Sequence, residues 1–274
     1  MYALLSTVKH EQATSRTGAV RYRSQRAFTL VELVAVMVIL SIIAAIGVGF
    51  VVRATESYQS TQTRALLVNT ARQAVERMTR QLRGALPYSV RITNNDQCLQ
   101  FMPIAAGGNY FNPVPDQQNL APPTASIPAS PVSIDFGSAR FVAIGAMNAA
   151  EIYGPSPTSL SGYSGYTAGA LQLSASQRWQ RNSVNRRYYL LDNAQAFCLA
   201  GNELRFYSGI EPQHQSVDLT ANFDIIARGV TANGAFELAN GSENRNTLIN
   251  VSLDFTSGNE TINYTHRVFI RNVP

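Results

Sequence analysis

Side chains that bind metals or carry redox chemistry are scarce in this sequence. The 274 residues include only two cysteines and three histidines. These are too few soft ligands for a four-cysteine zinc site, and they argue against a zinc finger or a cysteine-based redox enzyme. We therefore expect neither a metal nor a cofactor. Hydrophobic residues make up 45% of the chain, enough to build a sizeable core, which excludes intrinsic disorder.

Lysine is also nearly absent, and the basic residues are unevenly placed. Lys9 is the only lysine among 22 basic residues, and the net charge is +5 with a pI of about 9.4. A basic chain suggests nucleic acid or an anionic membrane as a partner. Five of the basic residues precede position 27, however, where only Glu11 opposes them. Residues 28–274 carry 17 basic and 16 acidic side chains, so the high pI is poor evidence for nucleic acid binding.

Charge is almost missing from residues 28–52, an apolar run of 25 residues whose only polar members are Thr29, Glu32 and Ser41. A helix needs about 20 apolar residues to cross a bilayer, so this run predicts a transmembrane segment. It is longer than the apolar core of a secretory signal peptide, and no A-x-A-like cleavage site follows it. The basic residues before it predict a cytoplasmic N-terminus, with residues 53 onward outside the inner membrane.

One carboxylate lies inside the apolar run. Glu32 is five residues into it, where an ionised side chain costs about 2.5 kcal/mol or more and usually has a functional partner. A simple single-pass anchor leaves this residue unexplained. A carboxylate at the membrane edge, solvated by lipid head groups, is the alternative interpretation.

The segment from Arg26 to Glu32, RAFTLVE, resembles the class III signal of type IV prepilins and pseudopilins. The resemblance implies that prepilin peptidase cuts between Ala27 and Phe28 and that the new amino group of Phe28 is methylated. It also makes Glu32 the fifth mature residue. The family usually has glycine before the cut, so Ala27 departs from the pattern.

The resemblance further implies a role for Glu32 in subunit assembly. In a packed filament the ammonium group of Phe28 on one subunit would meet Glu32 of its neighbour. A pair about 4 Å apart is worth roughly 4 kcal/mol at an effective dielectric constant near 20, before desolvation is subtracted. Such a pair would fix the axial register. The implied partners are prepilin peptidase, other minor and major pilins, the inner-membrane assembly platform and membrane lipid.

Proline is absent from Phe28 to Leu86, which predicts one continuous helix with a membrane part, 28–52, and a second part, 53–86. In the second part, apolar residues recur every three or four positions, the spacing of one helix face. These residues are Val68, Ala71, Val75, Met78, Leu82 and Leu86. The amphipathic part is expected to pack on a globular head, with its arginines solvated near anionic lipid.

Residues 87–274 alternate between short strand patterns and turns, which predicts an antiparallel β-rich head. The candidate strands are 88–93, 98–103, 139–144, 170–173, 188–191, 196–199, 204–207, 248–255 and 261–270. A hairpin connection is predicted at 200–203, and the last two strands form a predicted terminal hairpin. Seven of the twelve prolines lie in 103–131, which predicts a loop there rather than strands. With the resemblance, this gives the α+β fold of a type IV pilin.

The two cysteines lie 100 positions apart, each in a candidate strand. Cys98 and Cys198 would both reach an oxidising periplasm, where disulfides form. We therefore predict a disulfide, which would add up to roughly 4 to 5 kcal/mol in the chain-entropy account. Two buried free thiols are the alternative.

No catalytic motif is complete. Residues 162–166, GYSGY, have Tyr166 where the nucleophile elbow G-x-S-x-G requires glycine. His214 and His266 are not at metal-ligand spacing from another ligand type, and His266 is expected to be an ordinary strand residue. We therefore expect a protein that is not an enzyme.

One cluster favours a rival function. Four arginines and three aromatic residues interleave in it: Arg178, Trp179, Arg181, Arg186, Arg187, Tyr188 and Tyr189. Grooves that hold single-stranded nucleic acid or sugars have this composition. The alternative is a loop in which the arginines are solvated and the aromatic rings are buried. In that case the cluster has only a structural role.

Within the superfamily, residues 71–87 and the ending 266–274 resemble the O-type minor pilins of mannose-sensitive haemagglutinin (MSHA) pili. W-type minor pilins and J-type pseudopilins of type II secretion have similar patterns. The resemblance implies a minor pilin of a Gram-negative bacterium, held in the inner membrane with a periplasmic head and then built into a priming or tip complex. A type II secretion pseudopilin and an adhesin or DNA-binding pilin are the alternatives.

Overall fold

The computed structural model describes residues 28–131, 137–239 and 247–270. The predicted leader, 1–27, and the ending, 271–274, lie outside the described residues. The chain divides into two compact units, Met1–Glu56 and Ser57–Pro274. In the described ranges one long helix is followed by a β-rich head, so the α+β architecture of a type IV pilin is confirmed.

The helix α1 covers Leu30–Arg83 and so begins two residues later and ends three residues earlier than predicted. Its end is tightened by bonds to the third residue back, from Gly84 N to Gln81 O (3.1 Å) and from Ala85 N to Leu82 O (3.1 Å). A short 3₁₀ turn, Pro87–Ser89, follows. Because proline at 87 cannot continue the helical ladder, the chain turns away into the sheets.

The head strands are, in chain order, β1 Arg91–Thr93, β2 Cys98–Phe101, β3 Ile104–Asn109, β4 Thr124–Pro128, β5 Phe141–Ala143, β6 Leu160–Thr167, β7 Ala170–Gln177, β8 Arg187–Leu191, β9 Ala194–Ala200, β10 Glu203–Ile210, β11 Asp224–Arg228, β12 Val230–Thr231, β13 Phe236–Ala239, β14 Thr247–Ser257 and β15 Glu260–Ile270. They form three antiparallel sheets. The five-stranded sheet has the order β1-β2-β9-β10-β11, and the six-stranded sheet has the order β3-β8-β5-β6-β7-β4. In the four-stranded sheet, β14 pairs with β12 and β13 on one side and with β15 on the other.

One face of the second half of α1 forms the centre of the main core. Its buried apolar residues are Leu67, Ala71, Ala74, Val75, Met78 and Leu82. Most of them pack with β2, β9 and β10 of the five-stranded sheet and with β14 and β15 of the four-stranded sheet. The predicted face was one position off at its start, since Val68 is 38% exposed and Leu67 is buried. Leu67 is four residues before Ala71 and therefore lies on the same helix face.

The six-stranded sheet is an insertion between two neighbouring strands of the five-stranded sheet. β2 and β9 pair directly, yet the chain between them builds all six strands β3 to β8. This inserted module has a core of its own, in which Trp179, Tyr188 and Leu190 are fully buried. A further cluster joins the module to the turn after α1, through Leu86 and Leu191.

The prediction of a loop at 103–131 was wrong, because two strands, β3 and β4, lie within it. Both are edge strands of the six-stranded sheet. Proline lacks the N–H that a central strand must donate, but it is tolerated at an edge or at a strand end. Pro128 is the last residue of β4, and Pro103 directly precedes β3. The high proline content of residues 103–131 is therefore typical of edge strands and does not exclude strands.

The predicted hairpins are confirmed. β9 and β10 are joined by Gly201 and Asn202, both at positive φ (58° and 66°). Two central residues at positive φ match the right-handed twist of the flanking strands. β14 and β15 are joined by a two-residue turn, and all eleven residue pairs between them keep one register.

Truncating a buried side chain of α1 tests this packing. We expect Leu82→Ala to lower the free energy of unfolding by about 2 to 5 kcal/mol, because Leu82 is fully buried. Leu66→Ala is the matched control on the same helix, and it should change stability by less than about 0.5 kcal/mol, because Leu66 is 67% exposed. Urea unfolding of the detergent-solubilised full chain measures both. Equal losses would contradict the assignment of the buried face.

Candidate functional site

The first half of α1 exposes its apolar side chains. Every residue from 28 to 52 is exposed, including Phe28 at 79%. In the described part of the chain, α1 is the one helix long and apolar enough to cross a membrane, a test that N-terminal signal sequences also pass. Exposed leucine, isoleucine and valine on all sides of a helix require an apolar surrounding. This segment is therefore suited to a bilayer or to the interior of an assembly.

Glu32 is engaged at the N-terminus of α1 in a capping box. Its Oε2 accepts hydrogen bonds from the backbone N–H and from the hydroxyl of Thr29, both at 3.3 Å. In return the backbone N–H of Glu32 donates to the Thr29 hydroxyl at 3.3 Å. A Thr-x-x-Glu pair of this kind satisfies two N–H groups that the helix leaves unpaired.

The capping box gives Glu32 a role that sequence reasoning missed. The signal was present as Thr29-Leu-Val-Glu32, a hydroxyl residue followed three positions later by glutamate. The carboxylate is thus held by its own chain before any neighbour is present. The capping bonds use Oε2, and no hydrogen bond to Oε1 is formed within the described residues.

The predicted processing site adjoins this cap. Phe28 directly precedes the capping residue Thr29, whereas Ala27 lies outside the described residues. The cut between them and the methylation of Phe28 stay predictions. The amino group that such a cut creates would lie four residues before Glu32, at the positive end of the helix dipole.

Comparison with protein families matches residues 22–48 to the prokaryotic N-terminal methylation motif. This is the signal of type IV pilin-like prepilins. It supports a place in the pilin and pseudopilin superfamily, and it implies processing by prepilin peptidase, membrane anchoring and assembly with other pilins. Comparison with curated proteins and with solved structures found no match.

A disulfide joins Cys98 and Cys198, with an S–S distance of 2.04 Å. The two residues face each other in the pairing of β2 with β9, and both are fully buried. The inserted module leaves and re-enters the five-stranded sheet through these two strands. The bridge therefore ties the module's base to the sheet that packs on α1.

The aromatic residues of the cluster at 178–189 lie mostly inside the head. Trp179 and Tyr188 are fully buried in the core of the inserted module. The Tyr188 hydroxyl donates to Ser130 O at 3.0 Å. A surface that stacks bases or sugars needs exposed rings, so Trp179 is not part of such a surface.

The arginines of the cluster hold neighbouring segments. Arg178 Nε donates to Ala121 O at 3.3 Å, and Arg186 Nη1 donates to Phe111 O at 2.7 Å. Arg181 forms a two-pronged ion pair with Glu151, at 2.7 and 2.9 Å. Arg187 begins β8 and lines a cleft beside Tyr88 and Tyr189. The buried rings of Trp179 and Tyr188 agree with the structural interpretation of the cluster. Its arginines at 178, 181 and 186 differ from that interpretation, because they bond to neighbouring segments.

A buried carboxylate, Asp116, anchors the same region. Asn182 Nδ2 donates to Asp116 Oδ2 at 2.6 Å, and Asn182 Oδ1 accepts from Val114 N at 2.8 Å. The backbone N–H of Asn119 is the main cause that lowers the pKa of Asp116. These bonds fasten the proline-rich segment to the loop after β7. Neither residue stands out in the sequence, because their pairing spans 66 positions.

Removing the disulfide should destabilise the head. The double variant Cys98→Ala plus Cys198→Ala is expected to lose up to about 4 to 5 kcal/mol, because the bridge closes a loop of 100 residues. Urea unfolding of the oxidised chain, the reduced chain and the double variant measures the effect. The reduced chain should match the variant. A loss below about 1 kcal/mol would contradict a stabilising role for the bridge.

The Glu151 ion pair predicts an acid-sensitive module. Burial alone would raise the pKa of Glu151, but hydrogen bonds from Arg181, Met147 N and Ser159 outweigh it and lower the pKa below 4.5. A carboxylate with a lowered pKa stabilises the fold above its unfolded pKa and loses this effect as the pH falls through the folded pKa. The free energy of unfolding of the wild-type chain should therefore decrease as the pH falls below about 4.5, and that of Glu151→Gln should decrease less steeply. Urea midpoints between about pH 3 and 7 measure the slopes, and equal slopes would contradict the assignment.

Proposed function

We propose that the chain is a minor pilin of a type IV pilus, of the O-type of MSHA pili, in an assembly-priming or tip complex. It begins in the inner membrane as a single-pass protein with a periplasmic head and a cytoplasmic leader. Prepilin peptidase then cuts before Phe28, and the subunit enters a pilus on the surface of a Gram-negative bacterium.

The observation that carries the proposal is the methylation motif at the start of an exposed apolar helix. The motif covers residues 22–48 and includes Glu32. The apolar half of α1 supports membrane anchoring and later packing among other subunits. The disulfide in the β-rich head supports a location of the head outside the cytoplasm, because disulfides persist in oxidising compartments.

In the proposed assembly the Phe28 ammonium of one subunit pairs with Glu32 of the next. The capping box supports this role, because it fixes the carboxylate at the helix start before the neighbour arrives. A preformed carboxylate loses less side-chain freedom on pairing than a free one. The pair then aligns the subunits along the filament axis.

Two alternatives share part of this support. A J-type pseudopilin of type II secretion would carry the same signal and the same helix. An adhesin or DNA-binding pilin would use the cluster at 178–189, but the buried ring of Trp179 and the internal bonds of its arginines speak against that use.

Two variants of Glu32 test the proposal. Glutamine can occupy the third helical position of a capping box but carries no charge. We therefore expect Glu32→Gln and Glu32→Ala each to lower the amount of the chain in sheared pili by about tenfold or more, because both lose the ion pair. Peptidase cleavage should continue in both. Immunoblots of pili and membranes measure this.

If Glu32→Gln entered pili in the same amount as the wild-type chain, the cap alone would be needed. That result would contradict the ion-pair role of Glu32. Mass spectrometry of the membrane-bound wild-type chain provides the second test. A methylated Phe28 N-terminus is expected, and an intact segment 1–27 in cells with active prepilin peptidase would overturn the proposed function.

A further inference from the structure

The edge strand β15 has an unusually open backbone. It forms the outer edge of the four-stranded sheet and, within the described residues, pairs with β14 alone. It is eleven residues long, has no proline or glycine, and keeps its register with β14 without a bulge. A long regular edge is a template for pairing with another chain unless the protein blocks it.

The backbone groups that point outward on β15 can be identified. On β14, Ser252 N donates to Ala235 O and Thr256 N donates to Gly229 O, so the backbone N–H groups of Ser252 and Thr256 point away from β15. In an antiparallel ladder, the residue opposite a non-bonded position also turns its N–H and C=O away. The outward set on β15 is therefore Thr261, Asn263, Thr265, Arg267 and Phe269.

The other sheet edges of the described head are short or irregular. β1 has three residues, and β12 and β13 have two and four. The pairings of β3, β4 and β11 each contain a register shift, and β4 ends in Pro128. Bulges, prolines and short length are among the means by which natural sheets prevent edge pairing. β15 lacks all three.

The side chains along β15 also favour an added strand. Ile262 and Tyr264 lie on the core side but are only partly buried, because the sheet ends there. Phe269 is 57% exposed. On the solvent side Arg267 is exposed, and no ion pair to it is formed within the described ranges. A strand beside β15 would cover the apolar side chains and could supply a carboxylate to Arg267.

Antiparallel pairing with a second copy of the chain does not suit this edge. Among the described strands β15 is the one long regular edge that a copy can offer, and antiparallel pairing of two β15 strands places a twofold axis perpendicular to the sheet. That axis would reverse the direction of the helix packed on the second sheet. This step rests on the proposed function, because pilin subunits anchored in one membrane have their helices in the same direction.

We propose that β15 binds an extended segment of a different protein chain by β-strand addition. The segment hydrogen-bonds to the five outward residues of β15. Its apolar side chains alternate with polar ones, and the apolar set covers Ile262 and Tyr264. An acidic residue of the segment lies opposite Arg267.

The test uses the full chain in its own cells with a photo-crosslinking phenylalanine analogue at position 269. The same analogue at Phe111, which is 54% exposed in the inserted module, is the matched control. Mass spectrometry identifies both crosslinked peptides. We expect an adduct from position 269 to one defined segment of another chain, and at least about fivefold less of it from position 111.

Matched variants then test the backbone mechanism. Thr265→Pro removes an outward N–H but spares the backbone hydrogen bonds to β14, so the adduct should fall at least fivefold. It also loses the contact between the Thr265 and Ser252 hydroxyls, which Thr265→Val loses equally. Thr265→Val keeps the N–H and should retain the adduct within twofold. Arg267→Glu keeps the backbone intact and should lower the adduct at least threefold, which provides a test if the proline variant fails to form the Cys98–Cys198 bridge.

Other results of the crosslinking experiment would contradict part of the proposal. An adduct between two copies of β15 would overturn the assignment of a different chain. Equal adducts from both positions, or equal loss with Thr265→Val and Thr265→Pro, would overturn strand addition. If the adduct forms on a chain that still carries residues 1–27, strand addition is supported and the proposed function is contradicted. If the chain is cleaved and bound in pili but forms no adduct, the proposed function is supported and strand addition is contradicted.

Discussion

The apolar face of α1 packs against strands from both the five-stranded and the four-stranded sheet. Among the described residues α1 is the one helix in this core, and strands far apart in the chain meet there, such as β2 and β14. Burial of apolar surface contributes about 25 cal/mol per Å², so the core that the helix face shares with both sheets helps to hold the two sheets together. The position of every other part of the head depends on this contact. The inserted module depends on it through β2 and β9, and the edge strand β15 depends on it through β14.

The same helix meets two different environments along its length. Residues 28–52 are apolar on all sides and exposed, whereas the later part buries one face and carries arginines elsewhere. Two of these arginines form ion pairs with the head, Arg64 with Glu260 and Arg77 with Asp224. Exposed pairs of this kind add little stability, so the apolar face holds the head on the helix. The change from one pattern to the other separates the part suited to lipid or a filament core from the part that supports the head.

The sequence was informative where the signal is local. The helix, the Gly201–Asn202 turn and the terminal hairpin follow from periodicity and turn chemistry within a few residues. The insertion could not be read in this way, because it depends on the pairing of β2 with β9 across about 100 positions. β6 was missed because its sequence, LSGYSGYT, has glycine and serine where strands usually have branched residues. The burial of Trp179 was one of two interpretations, because interleaved arginines and aromatic residues form the same sequence pattern whether the rings lie outside or inside.

The insertion separates two tasks within the head. Its own core lets residues of the six-stranded sheet change without disturbing the packing of α1, because the two cores share no buried residue. The Cys98–Cys198 bridge links the two strands between which the module is inserted. Charge follows the same division, since residues 104–191 carry five arginines and three acidic residues, while the rest of the head carries six arginines and ten acidic residues. A head built in this way can vary the surface of its module while the helix, the five-stranded sheet and the four-stranded sheet keep their packing.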